Sequence, residues 1–205
     1  MDEIAYKNYI NYEHQKAHKF SAILGVIGVF MAFGGLTSAF LVSKGTGQWT
    51  NFSLPSSFLT STVLIILSSI TLYVAHISNK KNERNMLVIG LLATFILGIL
   101  FCIYQYLGWQ QLYDAGIYLE GNKSGSYLFV ITGLHVAHVL GGIIFLIYAF
   151  LKSLLFYKYK KVAFTSLDEK GDKLHIRTDL LSIYWHSIGG LWLYLFIFFY
   201  INFNH

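Results

Sequence analysis

The stretch SYLFVITGLHVAHVLGGIIFLIYAFL, Ser126 to Leu151, decides the fold. It holds no Asp, Glu, Lys, Arg or Pro across 26 residues. At about 1.5 Å per residue a helix of that length exceeds the roughly 30 Å of hydrocarbon in a bilayer. Two histidines, His135 and His138, lie inside it. Residues three apart share a helix face, and an imidazole within hydrocarbon is costly unless something satisfies it. Three roles are open to them: holding a metal, moving a proton, or fastening one helix to another.

The rest of the chain has the same character. Of 205 residues, 55% are hydrophobic and 12% charged, and the mean hydropathy is +0.53. So short a soluble chain could not bury that much apolar surface. Five apolar segments, at about 20–43, 55–78, 86–107, 126–151 and 179–202, are each long enough to span a membrane. The expectation is an all-α, polytopic bundle of five transmembrane helices. A tail at 1–19 precedes a membrane domain at 20–205, and a basic loop at 152–178 joins the last two helices. The polar opening residues and the long apolar run after them do not fit a cleaved signal peptide, so the first helix is expected to stay as an anchor.

Charge sets the expected orientation. The tail carries Lys7, Lys16 and Lys19, and the second connection carries Lys80, Lys81 and Arg84. The fourth carries Lys152, Lys158, Lys160, Lys161, Lys170, Lys173 and Arg177, whereas Lys44 and Lys123 alone occupy the other side. By the positive-inside rule the N-terminus is cytoplasmic and the C-terminus outside. Topology thus explains the basic balance, and nucleic acid is not implied.

Histidines apart, no Asp, Glu, Lys or Arg of the kind that pumps, channels and coupled transporters use lies deep in the membrane part. Asp179, the innermost carboxylate, stands near the start of the fifth helix. Cys102 is the single cysteine, which excludes an intrachain disulfide and a thiolate cluster. The remaining candidates are histidines. His138 lies roughly 18 Å from the outer surface and His186 roughly 10 Å from the inner one. Similar depths leave a haem gripped by His138 and His186 open, as in a free-standing b-type cytochrome. Against it stand the lack of a carboxylate to orient a ligating histidine and the lack of a completing Cys or Met. Near the outer interface, Trp49, Trp109, Tyr113 and Tyr118 suit an aromatic belt.

Four motifs in order resemble one family. TGLHVAHVLGG supplies Thr132, Gly133, His135, His138, Val139 and Gly141. YWHSIGGLW supplies Tyr184, Trp185, His186 and Trp192. Leu54, Pro55, Ser68, Ser69, Thr71, Ala75 and His76 mark the second helix, and Leu97, Gly98, Phe101 and Gln105 the third. Together they resemble subunit III of the haem–copper terminal oxidases in its short, five-helix bacterial form, over about residues 25–200. The resemblance implies an accessory subunit of an aerobic respiratory oxidase in the bacterial plasma (inner) membrane. Such a complex oxidises cytochrome c, reduces oxygen to water and translocates protons, with haem and copper on subunits I and II.

The resemblance further implies no cofactor or catalytic centre on this chain. It implies contact mainly with subunit I, contact with subunit II and bound structural phospholipid, and leaves membership of a larger respiratory supercomplex open. Thr132, Gly133, His135, His138, Tyr184, Trp185, His186, Trp192, His76 and Gln105 are then helix-packing or lipid-facing residues. A quinol oxidase and a nitric-oxide-reductase accessory protein share the pattern. Three family acids are missing, with Val29, Gly108 and Gly189 in their places, so roles resting on those acids are not carried over.

Overall fold

The computed structural model describes residues 3–46, 49–50, 52–81, 83–160 and 168–203, and side chains within 12–14, 16–46, 49–50, 52–81, 83–155 and 178–203. Five helices follow one another: α1 (Glu3–Gly45), α2 (Ser56–Lys80), α3 (Arg84–Asp114), α4 (Lys123–Lys160) and α5 (Asp168–Phe203). Each is long and apolar enough to cross a membrane. Four run well past the apolar segments read from sequence, α3 reaching Asp114. α1 is already helical from Glu3, within the expected tail, while α4 extends to Lys160 and α5 begins at Asp168, within the expected loop. Hydropathy marks only the greasy part of a helix, and a helix has no reason to stop at the water surface. Residues 161–167 of that loop, and the side chains of 1–11 and 156–177, lie outside the described residues.

Side-chain ties give the helix directions. Lys19 in the first half of α1 meets Asp179 in the first half of α5, and Lys44 at the end of α1 meets the Asn202 carbonyl at the end of α5. α1 and α5 therefore run parallel. His76, at the end of α2, also faces Asp179, so α2 runs against them.

Local chemistry ends the helices. Pro55 precedes α2. α3 closes on Gly116 at φ +77°, with Ile117 N–H donating to Leu112 C=O at 2.9 Å and Gly116 N–H to Tyr113 C=O at 3.0 Å. That pair of bonds is a Schellman closure, which needs the left-handed residue glycine supplies. Asn122 then caps α4, its Oδ1 accepting the Ser124 N–H at 3.1 Å.

α5 is the hub. Its fully buried Leu181, Trp185, Ile188, Trp192, Leu195 and Phe199 alternate in steps of three and four, and the helix packs against α1, α2 and α4. That spacing draws one continuous seam along a helix. α2 and α3 form the most intimate pair. α1 is thinly held: Phe33, Thr37 and Phe40 are buried, but Phe20, Ile23, Leu24, Ile27 and Met31 are exposed. Large apolar side chains cover the outside of the bundle, as a hydrocarbon solvent permits.

Candidate functional site

Polar side chains inside hydrocarbon are costly without partners within the protein, and here many find them across helices. Trp185 Nε1 donates to Ser68 Oγ at 3.0 Å, and Trp192 Nε1 to Thr62 Oγ1 at 2.9 Å, both from α5 to α2. Gln105 Nε2 donates to Ser61 Oγ at 2.8 Å, from α3 to α2. Thr132 bonds its own Leu128 carbonyl and accepts the Trp109 indole N–H at 3.0 Å, joining α3 to α4. Tyr184 donates its hydroxyl to the His138 carbonyl at 3.0 Å, joining α5 to α4. Bonds of this kind average about 0.6 kcal/mol in membranes. Their main effect is register: each is made only when two helices sit at one particular height.

The two histidines of α4 divide their work. His135 is fully buried in a cage of rings, 5.1 Å from Trp192, 5.8 Å from Phe101 and 6.4 Å from Phe33. Neither ring nitrogen has a hydrogen-bond partner, so its imidazole acts as a packing ring. His138, one turn on, holds the Leu134 carbonyl through Nδ1 at 2.8 Å and sits against the edge of Phe33 at 5.7 Å. It lines a groove between α1 and the α4–α5 pair, with Val29, Phe30, Phe145 and Tyr184.

His186 faces elsewhere. It lines a separate groove between α2 and α5 with Ser69, Tyr73 and Gly190. The axial pair a haem needs is therefore not assembled from His138 and His186. Among the described residues, no three of His, Cys, Asp and Glu gather closely enough to hold a metal ion. His76 stands 3.6 Å from Asp179 Oδ1, whose other oxygen is 2.5 Å from Lys19 Nζ, so one carboxylate ties α1, α2 and α5. Gly133 has open space around it and shows no packing reason for being glycine.

The places of the three missing acids differ. A Cβ at Gly108 would stand 2.3 Å from the Phe58 ring, so the aromatic side chain fills that space. A Cβ at Gly189 would come within 3.1 Å of Ser69 Oγ. Val29 faces the α1 groove.

Several ties escape a reading by motif. Thr37 bonds the Tyr194 hydroxyl at 2.8 Å, Thr71 meets Thr94 at 2.8 Å, Ser43 meets Tyr127 at 2.7 Å, and Asn79 donates to Thr178 at 2.6 Å. Apart from Thr71, which the second-helix motif includes, their only sequence signal is a hydroxyl or amide in an apolar run. Trp49 and Trp109 are also more than an interfacial belt. Trp49 packs 4.7 Å from Phe40, and Trp109 carries the bond to Thr132. Tyr113 and Tyr118 remain exposed.

Residues 2–203 match the family model described as Cytochrome c oxidase subunit III. Among curated relatives, cytochrome c oxidase subunit 3 of Homo sapiens is 28% identical over 194 residues, covering 89% of this chain and 69% of the relative. The Mycosarcoma maydis protein of the same name is 31% identical over 185 residues, covering 86% of this chain and 60% of the relative. The matched region takes in all five helices and both histidine motifs; the chain belongs to the cytochrome c oxidase subunit III family.

Proposed function

We propose that this chain is the accessory, non-catalytic subunit of an aerobic haem–copper oxidase in a bacterial plasma membrane. It flanks the catalytic subunit and holds structural phospholipid, with its N-terminus on the cytoplasmic side. Haem and copper reside on the partner subunits I and II, where oxygen is reduced to water and protons are translocated. The observation that carries this reading is the use to which the family motifs are put. Thr132, Tyr184, Trp185, Trp192 and Gln105 each direct a polar group to a neighbouring helix, and His135 is enclosed by rings. The site is a scaffold rather than a reaction centre.

Lipid holding is supported by the groove between α1 and the α4–α5 pair. It encloses about 460 Å³ and has apolar walls, with His18 towards the Lys19 end and His138 deeper in. An acyl chain suits such a surface.

The test is purification of the tagged chain in mild detergent, with visible spectra of the complex and of the chain stripped from it. Haem bands with co-eluting oxidase subunits, a colourless stripped chain and co-purified phospholipid are expected. Haem retained by the stripped chain would overturn the reading.

A further inference from the structure

The α2–α5 face carries a second groove, of about 390 Å³. Its floor is made of small residues: a Cβ at Gly190 would meet open space, and Gly189 lies against Ser69. Ile66, Ile70 and Tyr73 form an exposed wall. Ser69, Tyr73 and His186 line it too, and none of the three forms a hydrogen bond with another described residue. Four other hydroxyls of α2 are satisfied within the helix. Ser61, Thr62, Ser68 and Thr71 each bond a carbonyl of their own helix.

Depth decides what can answer these groups. Asp179 and His76 meet at one level. His186 lies seven residues further along α5, and Ser69 seven residues back along α2. Both are therefore about 10 Å inward of that level. Acyl chains offer no acceptor or donor there, and headgroups are too far away. A transmembrane helix brings both what the floor admits, a close backbone, and what Ser69 and His186 lack, a hydrogen-bonding partner.

We propose that this groove is the seam where a transmembrane helix of another oxidase subunit docks, presenting a Ser, Thr, Asn or Gln side chain at the level of His186. The proposal rests on the accessory-subunit reading and adds the face by which the chain assembles.

The experiment uses the full complex, with the photo-crosslinking residue p-benzoylphenylalanine at Ile66. The expected product joins this chain to a membrane helix of another subunit. Two variants accompany it. Gly190→Phe, whose Cβ meets open space, fills the floor and lowers recovery of the chain with the complex by about tenfold, while its own unfolding transition is retained. His186→Phe also lowers recovery, whereas His186→Gln, which keeps a donor and acceptor, restores it. Crosslinks only to lipid or to a second copy of this chain overturn the proposal, as does full assembly of Gly190→Phe. If the parent chain never co-elutes with oxidase subunits, the accessory-subunit reading fails and takes the seam with it. If the parent co-elutes but the groove probes miss, the seam alone fails.

Discussion

Trp185 on α5 donates its indole N–H to Ser68 on α2 at 3.0 Å while its ring fills the space a side chain at Gly98 on α3 would need, 2.9 Å from a Cβ there. One residue thus registers three helices, by a hydrogen bond on one side and by close packing on the other.

The two contributions separate by mutation. Ser68→Ala keeps the indole ring in place and removes its acceptor, and is expected to cost about 0.6–1.7 kcal/mol, the range of such bonds in membranes. Gly98→Val forces the indole to move and is expected to cost more, about 1–3 kcal/mol as overpacking. Thermal unfolding of the purified chain in detergent, read by exposure of the single thiol of Cys102, ranks the two. Equal losses would mean that the slot at Gly98 is not tight.

Restoring a family acid at Gly108 is expected to fail for a steric reason. The Phe58 ring already occupies the position, 2.3 Å from where a Cβ would stand. Gly108→Glu should abolish recovery of folded chain, and Phe58→Ala in the same chain should rescue part of it. Val29→Glu opens into a groove instead and should leave more folded chain than Gly108→Glu. Size-exclusion profiles of the three variants decide the matter.

The Lys19–Asp179 pair ties α1 to the hub at the end where α1 is otherwise thinly packed. Both groups keep some access to solvent, so the pair is worth about 1 kcal/mol or less. Asp179→Asn should loosen the N-terminal half of α1 first, seen as faster proteolysis near the chain start. The swap Lys19→Asp with Asp179→Lys should recover part of the protection, though not the contact with His76. A swap no better than either single variant would count against the tie.

His135 has no hydrogen bond to lose. His135→Leu should therefore fold with a stability within about 1.5 kcal/mol of the parent, as volume-tolerant apolar exchanges do, and haem content per complex should not change. A drop in haem content would show that His135 acts on a redox centre. His135→Lys should not fold, because a buried unpaired ammonium is far more costly than an imidazole.

Much of this protein is determined by its sequence alone, and for a simple physical reason. Backbone polar groups in hydrocarbon must be satisfied within a segment, so apolar runs of sufficient length specify helices with no help from tertiary contacts. The five spans, their order and the family follow from local patterns such as Ser126–Leu151 and the motif around Tyr184. The tertiary structure decided everything that depends on which helix faces which. Spacing places His135 and His138 on one face, yet only packing puts the first in a cage of rings and the second on a groove. Depth leaves His138 and His186 level, yet only helix rotation sends them into different grooves. The sequence shows a glycine at 108 where the family has an acid, but that Phe58 fills the space is a fact about two helices. A hydroxyl in an apolar run looks the same whether it back-bonds its own turn, as Ser68 does, or faces outward, as Ser69 does. Helix rotation and side-chain reach separate the two, and neither is a local property of the chain.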